Sequence, residues 1–417
     1  MESLRFLDNQ TADGIRMDFG TPAFVYDEAT LLSRAEAALA FPNAFGLTVR
    51  FAMKAAPNGA LLRVFDREGL HLDASSGHEV ERAMRAGIGT EKVSLSTQEL
   101  PEDFASLARE GVKINLCSLS QLERFAEQLP GAKVGLRFNP GLGSGGSAKT
   151  NVGGPSASFG IWKDDLERAR DLAAAASLRI ERIHTHIGSG SDPEVWQRVA
   201  SLSLGIVEAF PEVEVLNLGG GFKVARMSDE RATDLQLVGE PVKQAFEEFA
   251  DRTGRRLRLE IEPGTFLTAT AGSLLTTIQD ATSTGPEGYS FLKLDAGMTE
   301  ILRPSLYGAR HPIISLPRDA NGETKSYVVV GHCCESGDLL TTADGQPEEL
   351  LARELAVCGV GDLCVIEGVG AYCSSMSAKN YNSFPESPEV LLRVDGSTSL
   401  IRKRQTLEQI LENEILP

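Results

Sequence analysis

The stretch Thr48-Val-Arg-Phe-Ala-Met-Lys-Ala-Ala-Pro-Asn58 contains a short apolar run that ends at Lys54. A Pro-Asn-Gly sequence follows this run. Its β-branched and aromatic residues predict a strand over Thr48–Met53, and the Pro-Asn-Gly sequence predicts the turn that ends it. Lys54 therefore stands where a strand meets a loop. Taken alone, it is an ordinary surface lysine whose stem packs along the protein and whose amine reaches water.

The same kind of run recurs along the chain. The predicted strands are Thr48–Met53, Leu70–Ala74, Lys92–Leu95, Val112–Leu116, Lys133–Phe138, Arg182–Ile187, Glu214–Leu218 and Arg258–Ile261. Helix-like segments lie between them, at Gly77–Ala86, Gln98–Arg109, Ser120–Gln128, Asp164–Ala176, Pro193–Phe210 and Pro241–Thr253. Strands that alternate with helices predict a parallel sheet, and eight such units favour a closed (β/α)₈ TIM barrel. A Rossmann-like open sheet is the alternative, although no Gly-x-Gly-x-x-Gly follows the first strand.

After about residue 285 strands come without long helices between them, which predicts a mostly antiparallel β domain. The predicted strands are Tyr327–Val330, Asp362–Ile366, Val390–Val394 and Ser399–Ile401, and Thr406–Glu414 has a helical pattern. The N-terminal run Pro22–Tyr26 is expected to join this domain. The predicted domains are residues 1–40 as that N-terminal segment, 41–280 as the barrel and 281–417 as the C-terminal β domain. Gly141–Gly154 is a long Gly/Ser-rich loop of the kind that often carries function.

Composition excludes several classes of function. The 417 residues carry a formal net charge of −17, with 42% hydrophobic and 24% charged residues. Such acidity argues against nucleic acid and anionic membranes as partners. The first residues lack the apolar core of a signal peptide and no later segment suggests a membrane span, so a cytoplasmic location is expected. The six cysteines form no CxxC pair, which predicts reduced thiols and no metal site.

A barrel builds its site from the carboxyl ends of its strands. Polar, charged and glycine residues fall at these ends, namely Lys54, Asp73, Ser75, Arg137, Asn139, His186, Gly188, Ser189, Gly219, Gly220, Gly221 and Glu262. We expect these residues to converge on one mouth of the barrel.

The residue types suit one cofactor. Gly219-Gly-Gly-Phe222 leaves backbone N–H groups open to a phosphate, although alone it could be a tight turn. Glu262, before Pro263-Gly264, could keep a pyridine nitrogen protonated, or could pair with an arginine. His186 could stack on an aromatic ring; with His184 it also suggests a metal, but no third ligand is near in sequence. Together with a lysine that captures an aldehyde, these residues indicate pyridoxal 5′-phosphate.

Longer motifs carry a resemblance that covers nearly the whole chain. The motifs are Phe51-Ala-Met-Lys54, Asp73-Ala-Ser-Ser-Gly-His-Glu79, His184-Thr-His-Ile-Gly-Ser-Gly190, Gly219-Gly-Gly-Phe222, Glu262-Pro-Gly264, Asp295-Ala-Gly-Met298, Arg303-Pro-Ser-Leu-Tyr307, Cys334-Glu-Ser-Gly-Asp338, Gly370-Ala-Tyr372 and Ile401-Arg-Lys-Arg-Gln-Thr-Leu407. Through these motifs the chain resembles the diaminopimelate decarboxylases, within the alanine-racemase-like, fold type III group of pyridoxal-phosphate enzymes that also contains ornithine and arginine decarboxylases.

The resemblance implies a role for each matching residue. Lys54 would bond covalently to the cofactor aldehyde, and Cys334 would return a proton to carbon after CO2 leaves. The implied cofactor-binding residues are Lys54, Asp73, His186, Ser189, Gly219, Gly220, Gly221, Glu262, Gly264 and Tyr372. The implied substrate-binding residues are Arg303, Tyr307, Glu335 and Tyr372. The family also implies a homodimer with shared active sites, in which Cys334 and Glu335 reach the partner's site.

The resemblance further implies decarboxylation of meso-2,6-diaminopimelate to L-lysine and CO2, the last step of lysine biosynthesis. One departure bears on the substrate: the family arginine after Glu-Pro-Gly is Thr265 here, and Arg137, Lys149 and Arg310 are candidate replacements. A decarboxylase acting on ornithine, lysine, arginine or an acylated diamino acid is therefore the main alternative. A racemase is disfavoured by the Cys-Glu-Ser-Gly-Asp motif, and a non-catalytic homologue by the presence of Lys54 and Cys334.

A second departure is smaller. Ser377-Ala-Lys-Asn-Tyr-Asn382 is one residue longer than the common family form. The insertion weakens the assignment of Tyr381 to the site.

Overall fold

The computed structural model describes residues 2–142, 153–186, 192–319 and 322–417. The chain divides into two compact units. The barrel unit consists of Leu32–Lys223 and Arg231–Leu267, and the β unit consists of Met1–Leu31, Val224–Glu230 and Thr268–Pro417. The domain boundaries at 40/41 and 280/281 stay a prediction.

The strands and α-helices of both units are numbered in chain order. The strands in chain order are β1 (Ala23–Asp27), β2 (Leu47–Ala52), β3 (His71–Ala74), β4 (Val93–Ser96), β5 (Lys113–Leu116), β6 (Lys133–Asn139), β7 (Ile161–Trp162), β8 (Arg179–Thr185), β9 (Val215–Asn217), β10 (Arg258–Ile261), β11 (Gly272–Ser283), β12 (Ser290–Leu294), β13 (Ile313–Leu316), β14 (Thr324–Val330), β15 (Thr342–Ala343), β16 (Gln346–Leu350), β17 (Arg353–Ala356), β18 (Leu363–Glu367), β19 (Glu389–Leu392) and β20 (Thr398–Arg402). The α-helices are α1 (Asn9–Phe19), α2 (Glu28–Leu39), α3 (Gly59–Arg67), α4 (Gly77–Arg85), α5 (Phe104–Arg109), α6 (Leu119–Gln128), α7 (Leu166–Ala175), α8 (Pro193–Glu208), α9 (Leu235–Thr253), α10 (Thr265–Thr268), α11 (Arg303–Tyr307) and α12 (Leu407–Leu411).

The parallel strands of the barrel unit close on themselves. Their order is β5-β4-β3-β2-β10-β9-β8-β6, and β6 pairs with β5 to complete the ring. The short strand β7 pairs in parallel with Phe138 and Asn139 at the carboxyl end of β6. Each of the eight strands predicted for the barrel is present, so the TIM barrel is confirmed and the open Rossmann-like sheet is wrong.

Two helices begin six residues from their predicted starts. Helix α5 begins at Phe104 rather than Gln98, since Pro101 interrupts the earlier part of the segment. Helix α9 begins at Leu235 and contains Pro241 in its interior. Its start is capped by Asp234, whose carboxylate accepts hydrogen bonds from the N–H groups of Gln236 and Leu237 at 2.9 and 3.1 Å. The cap explains why the helix starts before its proline.

The barrel interior contains a buried ion cluster. Arg50 Nη2 lies 2.9 Å from Glu260 Oε1, and Arg182 Nε lies 3.0 Å from Glu260 Oε2. Burial alone raises the pKa of Glu260, but Arg50 and Arg182 outweigh burial and lower that pKa to about 2. Glu260 is therefore an anion with both oxygens paired, which is the condition for burying such charges.

The β unit is a mostly antiparallel sheet. Its strand order is β17-β14-β12-β11-β1-β19-β20, and β18 pairs with both β11 and β13. Strand β1 lies between β11 and β19, so the predicted joining of the N-terminal strand is confirmed. Its core includes Val25, Leu275 and Val365, which are fully buried. Within the described parts of the chain, we find no helix with the length and apolarity to cross a membrane.

Candidate active site

Lys54 stands at the carboxyl end of β2, on a 3-10 turn over Met53–Ala55. The side chains on either side of it, Met53 and Ala55, are buried, while Lys54 itself is exposed. It lines a cleft of the barrel unit, with further lining from Ser75, Ser96, Thr97, Cys117, Arg137 and Phe159. A rigid, buried backbone thus presents an amine at the barrel mouth.

Glu262 follows β10 and is buried at the same mouth. Its Oε1 accepts a hydrogen bond of 2.6 Å from Asn217 Nδ2. Burial alone raises the pKa of Glu262, but His184, His186 and Lys54 lower it overall to well below its usual range. Glu262 is therefore a carboxylate anion near neutral pH, the form that can keep a pyridine nitrogen protonated.

His186 directly follows β8 and is kept neutral. Burial lowers its pKa well below 6.5, and the cations Arg137 and Lys54 lower it further. The N–H of Gly220 donates to His186 Nδ1 at 3.3 Å, so the ring proton is on Nε2. His184 lies deeper, with Nε2 3.4 Å from Glu262 Oε2 but without the alignment of a hydrogen bond. The two histidines thus have different surroundings: His186 accepts from the glycine loop, whereas His184 Nδ1 lies 3.3 Å from Ser96 Oγ.

The glycine loop after β9 is shaped by its neighbours. Gly219 has a φ of +72°, which favours glycine. A side chain at Gly220 would collide with the backbone carbonyl of Glu262. The N–H of Gly219 donates to Asn217 Oδ1 at 2.8 Å, and the N–H of Glu262 donates to the carbonyl of Gly219 at 2.8 Å. Close packing against Glu262 therefore requires glycine here.

Two further predicted residues lie at neighbouring strand ends. Asp73 is buried and its carboxyl accepts from Ser94 Oγ at 2.9 Å. Burial and the nearby Glu262 raise the pKa of Asp73 well above 3.8, so it is more readily protonated than Glu262. Asn139 accepts from the N–H groups of Gly141 and Gly154 at 3.1 and 2.9 Å, which holds the two ends of the predicted loop together. Gly188, Ser189 and Lys149 lie outside the described residues.

Arg303 and Tyr307 are in the β unit, at the two ends of α11. The Arg303 guanidinium carbon lies 5.8 Å from the centre of the Tyr307 ring. The Tyr307 hydroxyl donates to Met376 Sδ at 3.9 Å. Tyr372 has a φ of +57°, an uncommon conformation for a residue other than glycine, and the following residue, Cys373, is buried. The Arg303-Pro-Ser-Leu-Tyr307 motif thus brings the Arg303 guanidinium close to the Tyr307 ring.

Cys334 and Glu335 lie on an exposed turn of the β unit. The N–H of Cys334 donates to Asn382 Oδ1 at 2.8 Å, and Glu335 Oε1 accepts from the N–H of Gly337 at 3.0 Å. The Ser377–Asn382 motif therefore contacts this turn through its last residue, Asn382. The side chain of the preceding residue, Tyr381, is 39% exposed. Asp338 anchors the turn, because its carboxylate accepts from the N–H groups of Cys333 and Met298 at 2.8 and 2.6 Å.

Asn217, which was not predicted from the sequence, joins the parts of the barrel site. Asn217 is fully buried, and its amide donates to Glu262 Oε1 and to Glu260 Oε2, the latter at 3.3 Å. The spacing of the residues could have indicated it, because side chains two residues apart on a strand point to the same face of the sheet. Glu260 precedes Glu262 by two residues and Asn217 precedes Gly219 by two, so both could have been placed inside the barrel.

Comparisons with known proteins agree with this geometry. Residues 32–269 match the model of the pyridoxal-dependent decarboxylase family, pyridoxal binding domain. A diaminopimelate decarboxylase of Escherichia coli is 36% identical, over 96% of this chain and 95% of that protein. The chain belongs to the diaminopimelate decarboxylase family. A solved diaminopimelate decarboxylase is 34% identical with a TM-score of 0.89, over 95% of this chain and 94% of that one. Another, from M. jannaschii in co-complex with L-lysine, is 26% identical with a TM-score of 0.86, over 97% and 94%.

Family members depend on pyridoxal phosphate, and the residues of the barrel unit fit this cofactor. Lys54 supplies an amine in a cleft. The loop of Gly219 and Gly220 has no room for side chains, and its N–H groups donate to Asn217 Oδ1 and His186 Nδ1, contrary to the expectation that they are open to a phosphate. Glu262 is anionic and His186 neutral, the charge states that suit a protonated pyridine nitrogen and a stacked ring.

Proposed function

We propose that the protein decarboxylates meso-2,6-diaminopimelate to L-lysine and CO2, the last step of lysine biosynthesis. The observation that carries the proposal is the meeting of Lys54, the anionic Glu262 and the neutral His186 at one barrel mouth. The chain's likeness to diaminopimelate decarboxylases over nearly its whole length names the substrate. A related structure that contains L-lysine, the product of this reaction, supports the same substrate.

Each barrel residue has a proposed task. Bound pyridoxal phosphate supplies an electron sink for the bond that breaks between Cα and the carboxylate. Lys54 would hold the cofactor aldehyde through its amine, and the anionic Glu262 would keep the ring nitrogen protonated. His186 would lie against the ring, and because it is neutral it would add no competing charge. The proposed cofactor-binding residues are Lys54, Asp73, His186, Ser189, Gly219, Gly220, Gly221, Glu262, Gly264 and Tyr372.

The β unit supplies the proposed substrate contacts. Arg303 and Tyr307 bind a carboxylate, Glu335 pairs with an ammonium group, and Tyr372 contributes a hydroxyl. Cys334 would supply its thiol proton to the carbon that has lost CO2. We further propose a cytoplasmic homodimer in which Cys334 and Glu335 serve the partner's site. The exposure of both residues supports this arrangement.

The test is CO2 release from meso-diaminopimelate, L- and D-lysine, ornithine and arginine by the enzyme loaded with pyridoxal phosphate. We expect the fastest turnover with meso-diaminopimelate. A better rate with any single-carboxylate amino acid contradicts the substrate and favours the alternative, a related decarboxylase of ornithine, lysine, arginine or an acylated diamino acid. Thr265, in the place of the family arginine, is the observation that keeps this alternative open.

A further inference from the structure

A turn of the β unit, residues 380–384, contacts the segment that carries Cys334, and we call it the asparagine turn. Asn382 Oδ1 accepts a hydrogen bond of 2.8 Å from the backbone N–H of Cys334. The Phe384 ring stacks on the ring of His332, with 3.6 Å between the ring centres and 6° between their planes. His332 precedes Cys334 by two residues. The asparagine turn therefore holds this segment at two points.

The asparagine turn has an unusual backbone. Asn380, Asn382 and Ser383 have φ angles of +59°, +51° and +61°, in the left-handed region that residues other than glycine rarely occupy. The side chains of Tyr381, Asn382 and Ser383 are exposed, so burial in the core does not explain this conformation. A strained backbone persists only where its surroundings hold it, and it often accompanies function. The strain therefore indicates that the contact of Asn382 with Cys334 has a functional role.

Gln405, from the C-terminal tail, holds the asparagine turn in place. Asn380 Nδ2 donates to Gln405 Oε1 at 2.6 Å and to the carbonyl of Phe384 at 3.0 Å. The same Gln405 oxygen accepts from the backbone N–H of Glu386 at 3.0 Å. Gln405 is the acceptor in both contacts, and it joins the start of the turn to the residue that lies two positions beyond its end.

The direction of the Cys334 thiol depends on the backbone that carries it. The side chain is exposed, so packing in the core does not fix it. Two consecutive N–H groups are anchored instead, because Cys333 donates to Asp338 Oδ2 at 2.8 Å and Cys334 donates to Asn382. Asp338 is 2% exposed and also accepts from the N–H of Met298, so it supports the fold. Asn382 is exposed, and its removal should leave the core intact.

We propose that Asn382 is a positioning residue for the thiol of Cys334, and that Gln405 acts by keeping Asn382 in place. This role rests on the proposed function, in which the thiol supplies a proton to the substrate carbon. A proton donor has to lie within reach of the atom that it protonates, and a misplacement of about 1 Å can lower a rate about a hundredfold. Glu335, next in the chain, keeps its own contact with the N–H of Gly337. Loss of Asn382 therefore slows proton delivery more than it weakens substrate binding.

The sequence offers a direct probe of this contact. Cys333 and Cys334 are the only adjacent cysteines in the chain. Protein labelled with cysteine that carries ¹³C in its carbonyl and ¹⁵N in its amide therefore gives one signal in an HNCO spectrum, from the N–H of Cys334. We would measure the exchange of this amide with water in the pyridoxal-phosphate-loaded enzyme, together with kcat and KM for CO2 release from meso-diaminopimelate. The variants are Asn382→Ala, Asn382→Asp, Gln405→Ala and Gln405→Glu, with Gln409→Ala as the control.

The expected results follow from the acceptor oxygens. Asn382→Ala should speed exchange of the Cys334 amide about 5- to 10-fold and lower kcat about tenfold, with KM within about 2-fold of the wild type. Gln405→Ala should change exchange and kcat in the same directions by about 3-fold. Asn382→Asp and Gln405→Glu keep the acceptors and should stay within about 2-fold of the wild type. Gln409 lies in the same tail, but its Oε1 accepts from the N–H of Thr406 at 3.0 Å, so Gln409→Ala should match the wild type.

Unchanged amide exchange in Asn382→Ala overturns the proposal, and so does faster exchange with an unchanged kcat. Equal effects of Gln405→Ala and Gln409→Ala overturn the role of Gln405. If Asn382→Ala does not fold, Asn382→Gly decides by the same two measurements, because glycine adopts the φ of +51° without strain and removes only the amide. Lack of CO2 release from meso-diaminopimelate contradicts the proposed function. In that case amide exchange still tests the contact, and kcat is measured with the amino acid that the enzyme does decarboxylate.

Discussion

Asn217 connects three parts of the barrel unit, and its replacement by alanine should damage the cofactor site. Its amide donates to Glu262 at 2.6 Å and to Glu260 at 3.3 Å, and its carbonyl oxygen accepts from the N–H of Gly219 at 2.8 Å. Asn217→Ala removes all of these contacts at once. The Glu262 carboxylate and the glycine loop then lose their shared support.

The size of the effect follows from these contacts. A hydrogen bond to a charged group contributes about 1.5–3 kcal/mol and a neutral one about 1 kcal/mol. The long contact to Glu260 adds little, since Arg182 and Arg50 still pair with that carboxylate. We expect Asn217→Ala to lower the free energy of unfolding by about 2.5–4 kcal/mol. Its affinity for pyridoxal phosphate should fall at least about tenfold, which corresponds to about 1.4 kcal/mol.

Asn115→Ala is the matched control. Asn115 is as deeply buried in the same barrel, but its amide makes one neutral hydrogen bond, to Ser96 Oγ at 2.9 Å. The assay is urea unfolding of each cofactor-free variant, together with spectroscopic titration of pyridoxal phosphate. Asn115→Ala should lose about 2 kcal/mol less stability than Asn217→Ala and should keep near wild-type cofactor affinity.

Two outcomes would contradict this role of Asn217. One is equal destabilisation by the two alanine variants, which would mean that the charged contacts of Asn217 contribute nothing beyond burial. The other is unchanged cofactor affinity in Asn217→Ala, which would show that Glu262 and Gly219 are positioned without it.

Three further predictions concern single side chains. Lys54→Ala should abolish both the visible absorbance of the bound cofactor and CO2 release, whereas Lys163→Ala, at an exposed ion pair, should keep both; colour and turnover in Lys54→Ala would contradict its role. Glu260→Gln should lower the free energy of unfolding, measured with urea, by about 3–5 kcal/mol, because two buried arginines lose their anion. A decrease below about 1 kcal/mol would show that the cluster is not stabilised by charge. Burial lowers the pKa of His332 to about 4, so the folded protein resists its protonation and loses stability as the pH falls below the unfolded value of about 6.5. The wild type should lose more free energy of unfolding between pH 7 and pH 5 than His332→Phe does. Since His332 is partly solvated, we expect the difference, measured by urea unfolding, to be about 1 kcal/mol. The same pH slope in both proteins would contradict this assignment.

Much of the fold was predictable because its signals are local. A strand such as Thr48–Met53 is indicated by its own β-branched residues and by the turn that follows, and the observed strand covers Leu47–Ala52. The start of α9 was not predicted, because Pro241 suggested a beginning that the cap at Asp234 overrides. The strands β11 and β12 were also missed. They pair with each other across an exposed turn, and their residues carry no strong alternation.

The barrel, the family and the strand-end positions of Lys54, Glu262 and the glycine loop could all be predicted from the sequence, because strand periodicity and short motifs lie in neighbouring residues. Which buried side chains pair with one another depends on the folded chain. Asn217 reaches Glu262 from 45 positions away, and Arg50 reaches Glu260 from 210. The charge states of Glu262 and Glu260 depend on burial and on such distant partners, because a hydrogen bond or a desolvated charge is a property of the folded surroundings.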